Sequence, residues 1–186
     1  MLDTLSRNII YGNTYCSLEH TGTDTLATIT VLACKQHKGE LTLVDKTKAS
    51  TISDVRASFS KLRYAHLVIN NNQVLQKTIE NVNSLSDQVL LNQTFSDIDL
   101  DVFYYEVIRS KEKAFVYICR KSYVEELIKE YESQSIFITH WSLGHTPIVS
   151  LLPFLKDTSH IQTPTTTLEL KEGEITSIDH MASESY

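Results

Sequence analysis

Glycine is the first shortage: five residues in a chain of 186, well under the usual share of roughly 7%. Little is left for the glycine-rich loops whose backbone N–H groups cradle phosphates. Cysteine is sparse too. Cys16, Cys34 and Cys119 are odd in number, far apart and without a C-x-x-C pair, so neither a disulfide framework nor a zinc ribbon is implied. Positive charge is in deficit, with 17 Lys and Arg against 23 Asp and Glu and a net charge of −6. A broad phosphate-neutralising face is therefore not expected, and no nucleic-acid partner with it. No run approaches the roughly 18 apolar residues of a membrane span. The first twenty residues show no basic start followed by an apolar stretch, so no signal peptide is visible. The expectation is a cytoplasmic protein with reduced thiols. What is present is ordinary: 41% hydrophobic and 22% charged residues, enough to build a core.

Strand signals dominate the first eighty residues. Leu26 to Ala33 and Leu41 to Val44 are β-branched runs with near period-two alternation, and the polar, Gly-containing stretch Lys35 to Glu40 makes them a hairpin. A short strand from Thr14 to Glu19 is expected to pair with them. Ile52, Val55, Phe59 and Leu62 then recur at spacings of three and four, one face of a helix, with Thr51 placed to cap it and Asp54 in its first turn. His66 to Asn70 reads as a strand, Asn70 to Asn72 as a turn, and Val74 to Glu80 as the returning strand.

The second half changes rhythm. Leu85, Val89 and Leu90 predict a short helix before Asp97. Phe103 to Arg109 and Ala114 to Cys119 form a hairpin across a polar link. Ser122 and Glu125 fit a capping box, and Val124, Leu127, Ile128 and Tyr131 follow as an apolar stripe. Ile136 to Ser142 is nearly continuous in apolar residues, which predicts a central strand. Thr146-Pro147 predicts a helix start, with Leu151, Leu152 and Leu155 as its buried face and Pro153 limiting it. After a polar linker, Thr166 to Leu170 and Glu174 to Ile178 make a last hairpin. Met181 to Tyr186 reads as a disordered tail.

This order of elements resembles the ribonuclease-H-like half of an actin-like fold, an α/β (α+β) arrangement of mixed β-sheets with packed helices. It is most similar to the actin-like platform proteins of type II secretion and type IV pilus assembly, the GspL and PilM type. Three stretches carry the likeness. Ala65 to Ile79 looks like the strand pair after the family's first helix. Asp101-Val-Phe-Tyr-Tyr-Glu106 is similar to its acidic-then-aromatic strand start. Ala114 to Trp141 looks like its strand–helix–strand unit. The resemblance implies an actin-like domain over residues 1–156, a linker and β-hairpin over 157–180 that begins a second subdomain, and a tail over 181–186.

It also implies a non-enzymatic scaffold without a cofactor, recruited to the inner-membrane face. Its partners would be a secretion ATPase and an inner-membrane assembly protein, and an exposed strand edge would allow a homodimer. Nucleotide-binding members of the actin-like group carry an acid, then Gly and a hydroxyl residue, in the first hairpin. Here Glu19-His-Thr-Gly22-Thr23 has that spacing off by one, which implies a degenerate nucleotide site. The alternatives are an actin-like ATPase or sugar-kinase-type protein using Glu19, Gly22 and Thr23, and a ribonuclease-H-like nuclease using Asp97, Asp99 and Asp101.

Other candidates are weighed against plainer roles. Asp97, Asp99 and Asp101 would share one face of an extended strand and could hold a divalent metal, or be a solvated acidic connection that blunts a sheet edge. His140 and His145, with Trp141 between, could ligate a metal or act as a base, yet no third ligand lies nearby in sequence. The three thiols, including Cys34 close to His37, fall in apolar strands, where Cys behaves as a small hydrophobe. Thr146-Pro147 after Gly144 could present N–H groups to an anion, or simply start a helix. Phe103, Tyr104 and Tyr105 have the pattern of interface anchors, with Lys111 and Lys113 as their charge partners; the plain alternative is core packing.

Overall fold

The structure is a computed structural model that describes residues 14–23, 27–38, 40–80, 85–111, 113–155, 157–163 and 166–180; the 181–186 tail lies outside them. The elements run β1 (Thr14–Gly22), β2 (Thr28–His37), β3 (Glu40–Ala49), α1 (Ile52–Ser58), β4 (Tyr64–Asn71), β5 (Val74–Glu80) and α2 (Asp87–Thr94). They continue through β6 (Phe103–Arg109), β7 (Lys113–Arg120), α3 (Lys121–Ser133), β8 (Phe137–Leu143), a 3₁₀ helix (Thr146–Phe154), β9 (His160–Gln162), β10 (Thr166–Lys171) and β11 (Glu174–His180).

A five-stranded sheet in the order β3-β2-β1-β4-β8 anchors the molecule. Its first three strands form an antiparallel meander, whereas β1, β4 and β8 run parallel. Alternation decides the faces. Cys16, Leu18 and His20 point one way and pair with Ala33, Val31 and Ile29, all buried. Val55 of α1 and Val124, Leu127 and Tyr131 of α3 join that same core. Thr51 and Asp54 close a reciprocal capping box at the start of α1. The antiparallel sheet β5-β7-β6 lies between two clusters. Phe115, Tyr117 and Cys119 join the main core, and Phe103, Val116 and Ile118 pack with Leu91 and Phe95 around α2. The third sheet, β11-β10-β9, sends Leu168, Leu170 and Ile175 into the main core.

Four expectations change. β5 does not return along β4: β1 and β8 already occupy both edges of β4, so β5 leaves for β7. β8 is an edge strand, not a central one. Its apolar run is buried at the ends, at Ile136 and Leu143, while Trp141 packs tilted against Tyr104 with ring centres 4.9 Å apart. Ser122 caps nothing, because β7 turns directly into α3 with Arg120 at the cap and no side-chain bond there; Glu125 instead accepts from the Tyr104 hydroxyl at 3.2 Å. The Thr146–Phe154 segment is a 3₁₀ helix with no buried residue. Leu152 and Leu155 lean on the core, but Leu151 is 53% exposed.

Candidate functional site

The first hairpin is where a phosphate site of the actin-like kind would lie. Glu19 Oε1 accepts from the Asn70 side-chain amide at 3.2 Å. Gly22 has a positive φ of 96°, and its carbonyl accepts from the Asn72 N–H at 3.2 Å. Glu19 is thus tied to β4 and Gly22 to the β4–β5 turn, which Asn71 closes by accepting from the Gln73 N–H. Thr23 is exposed beside them.

On β6 the three aromatics separate. Phe103 is buried with α2, and Arg120 lies over its ring at 5.1 Å. Tyr104 turns to the opposite face, packed at a tilt against Trp141 with Lys121 at 5.6 Å over its ring, and its bond to Glu125 pushes its hydroxyl pKa up. Tyr105 faces outward, 45% exposed, and lies opposite Ile118, itself opposite Leu75. The lysines bind within the chain. Lys111 Nζ reaches Glu172 at 3.1 Å and Glu174 at 3.6 Å, joining the β6–β7 link to the β10–β11 turn, while Lys113 reaches Glu80 at 3.4 Å. The backbone N–H of Lys111 also bonds Glu174, which holds that carboxyl below its ordinary pKa.

The acidic trio lies on no extended strand. Asp99 caps the 3₁₀ turn Leu100–Val102 by accepting from the Asp101 N–H at 3.1 Å, and Asp101 gives its carbonyl to Lys121. Among the described residues no three His, Cys, Asp or Glu side chains converge as metal ligands. All three cysteines are free, and burial pushes the Cys16 and Cys119 thiols up to about 11, the opposite of an activated nucleophile. His140 and His145 part company. His145 is buried beside Tyr117, whereas His140 lies on the open face of the sheet next to His66.

Two groupings were hidden in the sequence. His20 is buried and bonded to the Tyr131 hydroxyl at 2.5 Å, across 111 residues, and burial lowers its pKa to about 4. It lines a cleft of about 550 Å³ between the end of β1, Thr51 at the start of α1, and Tyr123, Glu126 and Glu130 of α3. The neutral imidazole and two carboxylates suit polar recognition there; burial raises the pKa of the Tyr131 phenol, so it stays protonated and His20 has no activated nucleophile beside it. Glu106 is the second. One of its oxygens accepts from the Leu143 N–H at 2.6 Å and the Thr146 hydroxyl at 2.5 Å, fixing the end of β8 to β6. Only the period-two placement of His20 on an apolar strand hinted at the first.

No protein-family model and no curated protein matches the chain in sequence. Solved structures do. The cytoplasmic domain of EpsL, an inner-membrane component of the type II secretion system of Vibrio cholerae, matches with a TM-score of 0.57 and 13% identity. That match covers 89% of this chain and 71% of the other. A PilM–PilN type IV pilus biogenesis complex matches with a TM-score of 0.60 and 10% identity, over 88% of this chain and 60% of that one. The chain has the actin-like fold of the GspL and PilM type. A Bacteroides thetaiotaomicron protein of unknown function, described as having an actin-like ATPase fold, is similar at a TM-score of 0.48 and 8% identity, over 89% of this chain and 69% of that one. Within this actin-like frame the Glu19–Thr23 hairpin, the β6 aromatics and the His20 cleft are three separate surfaces.

Proposed function

We propose that the chain is a non-enzymatic cytoplasmic scaffold of a secretion or pilus assembly machine, with a degenerate nucleotide site. The observation that carries this reading is the shared fold with the EpsL cytoplasmic domain and with PilM of a PilM–PilN complex. The hairpin supports it: Glu19 is engaged by the Asn70 amide of β4 and the Gly22 carbonyl by the β4–β5 turn, so the acid already has a partner within the chain. No described helix is long and apolar enough to cross a membrane, and in this reading a membrane protein recruits the chain to the inner-membrane face. A secretion ATPase and an inner-membrane assembly protein are the partners the reading names. Tyr105, the outward aromatic of β6, is the anchor it assigns to them.

Two measurements test it. Calorimetric titration of the full chain with MgATP is expected to give no saturable heat. Saturable binding that disappears in Glu19→Gln would replace the scaffold with an actin-like ATPase or sugar-kinase-type protein. Affinity capture from native membranes is expected to recover a secretion ATPase or an inner-membrane assembly protein, with Tyr105→Ala reducing the yield. Recovery of neither removes the scaffold reading.

A further inference from the structure

The histidine that His140 meets lies 74 residues earlier in the chain. Pairing of β4 with β8 begins Tyr64 to Phe137 and Ala65 to Ile138, and plain continuation would set His66 opposite Thr139. An irregularity between Ala65 and His66 skips one residue and brings His140 directly opposite His66. Thr139 spends its hydroxyl on the Ala65 carbonyl at 3.2 Å. Both rings therefore stand on one face of the sheet, centres 5.2 Å apart and planes inclined by 47°. His66 is half-buried and His140 exposed, so a small ion reaches the pair from solvent. Nε2 of His66 lies 3.1 Å from the hydroxyl of Ser142, a buried residue on β8.

We propose that His66 and His140 form a two-imidazole site for a divalent transition-metal ion such as Zn(II), Cu(II) or Ni(II). The spacing fits the chemistry. Two imidazoles holding one ion at about 2.0–2.1 Å, at a near-tetrahedral angle, have ring centres about 5 Å apart. Imidazole suits these ions, whereas Mg(II) and Ca(II) take oxygen donors. Ser142 occupies one nitrogen of His66 and leaves the other for the ion, the arrangement in which an outer partner fixes a ligating ring. Burial, and then the neighbouring His140, lower the His66 pKa, and it is the neutral imidazole that ligates a metal. Among the described residues no third His, Cys or carboxylate completes the set; water fills the remaining positions, and the ion exchanges readily. This inference is independent of the scaffold reading.

The test uses the full chain freed of any affinity tag. Calorimetric titration with ZnCl₂ is expected to show one ion per chain, undiminished by excess Mg(II), and the Cu(II) form should give an electron paramagnetic resonance spectrum with two nitrogen donors. His140→Ala, at an exposed position, should weaken binding by roughly tenfold or more, while His37→Ala, on exposed β2 backbone, should leave it unchanged. No saturable uptake at millimolar metal overturns the proposal. So does equal loss in His37→Ala, or one ion per two chains, which would mark a bridge between copies.

Discussion

Gly144 follows β8 with φ of +54°, and a Cβ added there would stand 2.4 Å from Cε1 of the buried Tyr117 ring. An L side chain is strained in that backbone region, and the ring cannot withdraw from a packed core. Gly144→Ala should therefore cost about 2–4 kcal/mol, read as a lower urea midpoint with an unchanged slope. His20 sets a pH dependence at the same scale. Its pKa falls from 6.5 to about 4 on folding because burial disfavours the cation. Between those values the unfolded chain holds a proton the folded chain lacks, so this contribution is complete above pH 6.5 and is lost as pH falls towards 4. The loss is on the order of 3 kcal/mol. In urea titrations from pH 7 to pH 4, His20→Gln should flatten this slope. A slope equal to that of the parent would place the titrating group elsewhere.

At the scale of elements, short helices depend on what they are fastened to. α1 has seven residues, too few to persist by itself. Its capping box holds one end, and Arg56 holds the other. The Arg56 guanidinium donates to the carbonyls of Gln134 and Ser135 after α3, both at 2.6 Å, and of Ser60 and Leu62, both at 2.9 Å. A lysine ammonium cannot span four acceptors in two directions. Arg56→Lys should therefore lose nearly as much stability as Arg56→Ala, about 1–3 kcal/mol; full retention of the midpoint in Arg56→Lys would show that charge alone suffices. The helices themselves were legible. Spacings of three and four placed α1 and α3, and Thr51 was visible as a cap. The Ser122 box was not usable, since its detection needs the helix start, and that start was set by the strand running into it. Thr146–Phe154 misled for a related reason: its leucines follow a helical period that a 3₁₀ backbone with Pro153 does not keep.

Over the whole molecule, one buried cluster runs from Leu18 and Leu67 in the five-stranded sheet to Leu168, Leu170 and Ile175 in the third. A continuous core predicts a single cooperative urea transition, with tertiary and secondary-structure probes coinciding. Deleting residues 157–186 tests the domain boundary expected at residue 156. Without that segment, the apolar faces that meet Leu168 and Ile175 open to water, and the fragment should bind ANS and lose its sharp transition. A fragment unfolding as sharply as the parent would make the first 156 residues an independent domain. The 3₁₀ helix supplies the contrast. Phe154 is 85% exposed, and Phe154→Ser should move stability by no more than about 0.5 kcal/mol, measured by the same titration.

Much of this architecture was present in local pattern. Period-two alternation identified β2 and β3, and apolar runs between polar turns located the other strands, except β9, which lies in the stretch read as a linker. The order of those strands with the intervening helices carried the actin-like likeness that the solved structures share. Phe103 and Tyr105 read alike as candidate anchors, and their division between core and surface was not legible. What local pattern could not carry was which strand lies beside which. Backbone N–H and C=O groups are alike at every residue, so pairing is selected by the burial each register achieves across distant segments. That selection sent β5 to β7, left β8 at an edge, bonded His20 to Tyr131, and through one skipped residue set His66 against His140.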